Sequence, residues 1–333
     1  SSPLLKDFIN LLNFIHANYS TYQLESSLNS LDELMNSTNP VNIMMGISPI
    51  YNRIIIDLSH NDDKNNEAFL NVTLPFEQFI FINYEDDSDD NSVASLSLRS
   101  TSNSSSSKLK TKRNIELYFL GGEGVATHIN GIPEIRCSAG FSAVDNVTRQ
   151  GYLLTSARCL PNNTQEIYHA TWDSPIPRQV PFGVLRESRL NELSPFLSID
   201  GFNLNTLQVP VGHEVCIAGY DLHFTCGEVT VSSARANFRS LRPWTTRDNY
   251  YNMIRANIGG HVSNRDIGGT VFSLQYVENQ VYIIVEGILT AARYERAHNR
   301  SAVTIQPIRR IREMFPPQSA YSTVFPLRIR HAE

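Results

Sequence analysis

Several groups of residues in this chain have the types and spacing to do chemistry. The run Arg265-Asp266-Ile267-Gly268-Gly269-Thr270 joins an acid to a diglycine turn, with a further hydroxyl close by at Ser263. Four cysteines fall as two local pairs, Cys137 with Cys159 and Cys216 with Cys226, each close enough to staple a hairpin. Four cysteines allow three connectivities, so the residues alone leave the pairing open. Lys112-Arg113 is a dibasic pair of the kind that secretory-pathway convertases cut, and N-x-[ST] sequons stand at Asn18, Asn36, Asn71, Asn103, Asn146, Asn162 and Asn299. The nine histidines are scattered. His213 and His223 flank the second cysteine pair, but two imidazoles without a third ligand do not make a zinc site. No metal and no cofactor is expected.

The elements that must carry these residues divide the chain in three. Residues 1–85 read as a small α+β region: Leu4, Leu5, Phe8, Ile9, Leu11, Leu12 and Ile15 share one helical face, a second helix is predicted over 25–36, and strands at Ile54-Ile55-Ile56 and from Phe79 to Tyr84. Residues 86–113 are acidic, then rich in Ser, Thr and Asn, without the hydrophobicity to offset ordering entropy; they read as a linker ending at Lys112-Arg113. All five lysines lie at or before Lys112, a compositional boundary that agrees. From Ile115 onward short apolar runs alternate with turn signals such as Gly121-Gly122, Asn130-Gly131 and Gly259-Gly260, the pattern of a β-sandwich or barrel spanning 114–333. One late helix starts at Pro307, turns Ile308, Ile311 and Phe315 to one face and stops at Pro316-Pro317.

Composition narrows the classes. Of 333 residues 41% are hydrophobic, enough for a sizeable core, and the net charge of −5 offers no basic face for nucleic acid. No stretch approaches the roughly 18 apolar residues of a membrane helix. The arginines at 235, 239, 242, 247, 255 and 265, with Trp244, Tyr250 and Tyr251 among them, are read as solvated charges on an interdomain loop rather than as a sugar- or nucleic-acid-binding surface. The sequons and cysteine pairs point to an oxidising, extracellular compartment.

Three patterns in order carry a resemblance: Arg136-Cys137-Ser138-Ala139-Gly140-Phe141 followed by Thr155-Ser156-Ala157-Arg158-Cys159; Cys216 with Thr225-Cys226-Gly227; and Arg265-Asp266-Ile267-Gly268-Gly269-Thr270. Together they resemble chymotrypsin-like serine peptidases, particularly the α-lytic protease and streptogrisin branch, over about residues 115–315. The resemblance implies a mainly β fold, a chymotrypsin-like double β-barrel with a C-terminal helix, preceded by a small α+β pro-region. It implies disulfides Cys137–Cys159 and Cys216–Cys226, and it extends to fungal relatives of that branch.

The departures decide the expected activity. Aligned on Cys159, the family's catalytic histidine falls on Arg158, whose guanidinium accepts no proton. The nucleophile falls on Ile267, which has no heteroatom. The oxyanion-hole glycine falls on Arg265, and the third triad member maps loosely to Asp200. Loss of a nucleophile or base costs on the order of 10⁶ in rate in a related triad. Ser263 and Thr270 are the nearest hydroxyls to the vacant position, but neither occupies the tight turn that exposes a nucleophile. The strand that pairs with substrate maps to Thr290-Ala291-Ala292, whose methyl groups narrow the pocket, and Ile267 fills space where a scissile carbonyl would sit. The expected result is a partly plugged cleft still able to accept an extended segment, with an Arg158–Asp200 ion pair replacing Asp–His. The reading is therefore a secreted, catalytically inactive peptidase homologue whose partner is an extracellular protein or extended peptide, with its own pro-region as a further candidate for retention. Two alternatives are an active serine endopeptidase using other residues and a structural extracellular glycoprotein.

Overall fold

A computed structural model describes residues 16–85, 121–129, 132–145, 151–156, 167–170, 172, 181–183, 199–202, 209–239, 247–277, 280–313 and 321–322. Outside them lie the helix expected over 4–15, the 86–113 stretch with Lys112-Arg113, Arg158, Cys159, Trp244 and the sequons at Asn103, Asn146 and Asn162. The chain is mainly β, with few helices and a short one near the C-terminus, as the resemblance implies.

The N-terminal unit begins with α1, Thr21–Thr38, opened by a capping box in which Ser20 Oγ accepts from the Gln23 N–H and the Gln23 side chain meets the Ser20 N–H. The helix is longer than the expected 25–36 because this box starts it a turn earlier. It ends on Asn39 in the left-handed region, φ 55°. Strands β1 (Ile43–Ser48) and β2 (Arg53–Ser59) form an antiparallel hairpin. Helix α2 (Asp63–Thr73) then carries the chain over to β3 (Ile80–Glu85), which pairs parallel to β2. Leu24, Leu31 and Met35 of α1 and Phe69 of α2 pack on Ile43, Met45, Ile54 and Ile56 of the sheet.

The C-terminal unit is a closed barrel. Strands β11 (Glu214–Gly219), β12 (His223–Arg239), β13 (Arg247–Gly259), β14 (Thr270–Val277), β15 (Gln280–Glu295) and β16 (Arg300–Pro307) pair in the ring β11-β14-β15-β16-β13-β12, and β12 closes it by pairing with β11. Closure leaves no open edge within the ring. Its interior holds Val215, Ile217, Val229, Ile254, Val271 and Leu289 among other branched side chains, none more than 5% exposed. Helix α3 (Ile308–Glu313) follows Pro307 directly and lays Ile308 and Ile311 against Phe141, Leu154 and Val285.

The intervening β unit comprises two sheets. One orders β5 (Ile132–Ser138), β4 (Gly124–Ile129), β8 (Ile167–Ala170) and β9 (Pro181–Gly183); the other pairs β6 (Ser142–Asp145) with β7 (Gly151–Leu153) and with β17 (Tyr321–Ser322). Strand β10 (Ile199–Phe202) runs parallel to β15.

Of the arginine-rich stretch expected to be a loop, Arg235, Arg239, Arg247 and Arg255 lie instead on β12 and β13, which pair as a long hairpin as far as Arg239↔Arg247. Register shifts at Val229/Val231, Val231/Ala234 and Ala234/Ala236 break the two-residue alternation that would have announced it. The far half of β12 also pairs with β1, Met44 opposite Ala236, so the barrel sheet continues into β1, β2 and β3.

Candidate functional site

The chemistry-bearing turn lies between β13 and β14. Ser263 caps a 3₁₀ turn over Asn264–Asp266: its Oγ accepts from the Arg265 N–H at 3.0 Å, while Asp266 Oδ2 accepts from the Ser263 N–H at 2.7 Å. Ile267 follows at φ −57° and ψ 138°, and Gly268 at φ +93°, a conformation that glycine alone adopts without strain. The turn is tied down on both sides. The Gly268 N–H donates to Leu289 O and the Leu289 N–H to Gly269 O, on β15; the Ser138 N–H donates to Ile267 O, from β5. Ser138 Oγ donates to Arg265 O and accepts from the Tyr220 N–H, both at 2.8 Å, which links β5, the β11–β12 turn and the site.

Asp266 is fully buried. Its Oδ1 accepts from the Asp221 and Leu222 N–H groups at 2.7 and 3.1 Å, so with Ser263 it has three backbone donors. Burial raises its pKa above the ordinary carboxylate value, the backbone hydrogen bonds from Leu222, Ser263 and Asp221 pull it back, and the nearby Asp221 charge adds to the rise. Outside this core Arg265 is half exposed, with Nε donating to Asp221 Oδ2 at 2.9 Å and its guanidinium 5.8 Å from the Tyr220 ring centroid. Asp221 Oδ2 also accepts from Ser263 Oγ at 2.6 Å.

Ile267 is 6% exposed and packs with Cys137 at the junction of the two β units. Thr290 is buried with its hydroxyl donating to Thr304 O, and Ala291 is buried in a cluster that includes Phe238, Met253 and, from β1, Met44. Ala292 is half-buried against the barrel core. Met44 of β1 packs in one cluster with Ala291, a contact for which residue spacing carries no signal.

The fold therefore brings Arg265, Ile267 and Asp266 to one turn beside β5 and β15. Asp200 lies on β10, but its side chain and Arg158 fall outside the described residues, as does the ion pair expected between them. Cys216 and Cys226 are bonded and face each other across β11 and β12; Cys137 is also in a disulfide. Ser263 donates its hydroxyl to a carboxylate, and Thr270 is buried. His213 Nε2 stands 3.6 Å from buried Glu286, which accepts from Ser273 Oγ, whereas His223 lies against Trp172. Among the described residues no group of three or more His, Cys, Asp or Glu could hold a metal ion, and no helix is long and apolar enough to cross a membrane. The sequons at Asn18, Asn36, Asn71 and Asn299 are exposed.

No protein-family model matches the chain, and no curated protein does. Solved structures similar to it include proteases. A Nocardiopsis protease (NAPase) is 15% identical over 59% of this chain and 95% of its own, at a TM-score of 0.37. Thermobifida fusca protease A is 15% identical over 62% and 99%, at 0.35. A glutamic acid-specific serine protease, described as using a histidine triad in substrate binding, is 20% identical over 58% and 96%, at 0.39. These are likenesses of fold at low score, and the barrel assignment stands on the closed ring of six strands.

Proposed function

We propose that the chain is a serine-peptidase-like protein that binds an extracellular protein or an extended peptide and does not cleave it. The observation that carries the reading is Ile267, apolar and 6% exposed, in the turn where the resembling peptidases place their nucleophile. Two further features support it. The Arg265 N–H, at the position of an oxyanion donor, is taken by Ser263 Oγ and so is not directed at a developing charge. Thr290 and Ala291 are buried where a substrate-lining strand would be open. Secretion is proposed from the disulfides and the exposed sequons. On the same reading, residues 1–85 are a pro-region and 86–113 a linker processed after Lys112-Arg113. The test is exposure of the purified protein to a fluorophosphonate serine probe alongside broad peptidase substrates. Neither labelling nor turnover is the expected result. Labelling at a single serine would overturn the proposal and identify that serine as the nucleophile.

A further inference from the structure

We infer that Arg265 is the charged anchor of the binding site and receives a carboxylate of the bound segment, which makes the ligand an acidic peptide. The inference rests on the binding reading above and extends it to the chemistry of the ligand. The backbone of Arg265 is fixed at both polar atoms: its N–H donates to Ser263 Oγ at 3.0 Å, and its carbonyl accepts from Ser138 Oγ at 2.8 Å. The side chain is held as well. Nε donates to Asp221 Oδ2 at 2.9 Å, and the guanidinium stands 5.8 Å from the ring centroid of Tyr220, itself buried. Asp221 is steadied in turn by Ser263 Oγ, which donates to the same Oδ2 at 2.6 Å. A guanidinium on such a mount loses little freedom when a ligand arrives.

The mount leaves the end of the fork open. Asp221 takes the Nε edge, whereas Nη1 and Nη2 have no hydrogen-bond partner among the described residues, and the side chain is 50% exposed. These two nitrogens present parallel N–H groups at the spacing of two carboxylate oxygens. One guanidinium can serve two carboxylates, as Arg255 does in the same barrel, bonded to Asp57 and 3.7 Å from Glu295. The neighbouring acids select among anions. Asp221 lies on the opposite edge of the guanidinium and buried Asp266 is the next residue, so a doubly charged phosphoryl group is repelled about twice as strongly as a carboxylate. Ile267, buried in the same turn, closes the depth of the site. The ligand is therefore held at the rim through a polar contact. Its carboxylate is an Asp or Glu side chain or a peptide C-terminus, which meet the fork with the same chemistry.

The test uses pools of octapeptides with Glu, Gln, Asp, Asn or Ala fixed at each position in turn, each pool made with a free and with an amidated C-terminus. Binding to the full chain is measured by fluorescence polarisation. The wild type is expected to favour Glu or Asp at one position if a side chain is the source, or the free C-terminus if the terminus is, by about five- to tenfold over the neutral counterparts. Arg265→Gln is expected to abolish that preference and leave the neutral pools unchanged. Arg265→Lys, which keeps the charge without the fork, should restore only part of it. Binding without a carboxylate preference, or a preference that survives in Arg265→Gln, would overturn the inference and leave the binding reading standing. A second measurement needs neither peptide nor variant: modification of Arg265 by phenylglyoxal, mapped by mass spectrometry, is expected to be slowed by glutarate and not by chloride at equal ionic strength. Modification indifferent to glutarate overturns the inference too. Protection by glutarate with no pool bound would support Arg265 as a carboxylate receptor and overturn the peptide-binding reading.

Discussion

Replacing Ile267 with serine puts a hydroxyl at the turn and tests the plugged-site reading directly. The side chain is 6% exposed and packs with Cys137. Losing its burial removes about 1.5–3 kcal/mol, and the space left behind adds a cavity penalty, so large-to-small exchanges at such positions cost about 2–5 kcal/mol. The new hydroxyl adds about 1–3 kcal/mol if it finds no partner. The backbone contributes little to the change, because Ser138 continues to donate to the carbonyl of residue 267. Ile267→Ser is therefore expected to lose about 3–5 kcal/mol by urea denaturation. Trp172, whose Nε1 donates to Gly122 O beside the site, is a local fluorescence reporter. The variant is also expected to remain unlabelled by a fluorophosphonate, since a hydroxyl without a positioned base is a weak nucleophile. A loss below about 0.5 kcal/mol, the size of an ordinary surface change, would mean residue 267 faces solvent. Labelling of the variant would mean a competent base is in place. Either result refutes the reasoning.

Two further outcomes follow from the same turn. Burial raises the folded-state pKa of Asp266, so its favourable contribution is fully present below its unfolded pKa and is lost as pH rises through the folded value. The stability cost of Asp266→Asn, followed by denaturation at a series of pH values, should therefore be largest in acid and shrink as pH rises; a cost that grows with pH would contradict the direction. Gly219→Ala would set a methyl 2.5 Å from Asp266 Oδ1, a group held by three backbone donors; a loss of about 1–3 kcal/mol is expected in thermal or urea unfolding, and a neutral result would show that the carboxylate is free to move.

Local signals in the residues foretold part of this architecture. The triple isoleucine of β2, the apolar run of β3 and Pro307 ahead of α3 each act within a few residues, and each element formed where its signal lies. The start of α1 lies a turn ahead of the predicted one, since Ser20 and Gln23 at capping-box spacing set it independently of the apolar face. Helix α2 was missed because its inner face holds Asn66 and Thr73 beside Phe69, polar residues that blur a helical stripe. At the site, Arg265, Asp266 and Ile267 are consecutive and share one turn. The three N–H groups that hold Asp266 come from backbone, two of them about 45 residues away, and backbone donors leave no trace in residue type. The pair of Arg255 with Asp57 is 198 residues apart in sequence and invisible for the same reason that any single long-range contact is.

The pairing of β1 with β12 also has a consequence for the order in which the chain is made. A ribosome completes Ile43–Ser48 long before His223–Arg239 exists. Until then the side of β1 turned away from β2 offers an unsatisfied row of N–H and C=O groups beside Met44 and Met45, and such an edge is a template for any strand that reaches it. The nascent N-terminal unit is thus a waiting platform with one designated strand still to come. Any delay in making or folding the hairpin lengthens the time during which a neighbouring nascent chain can take that place.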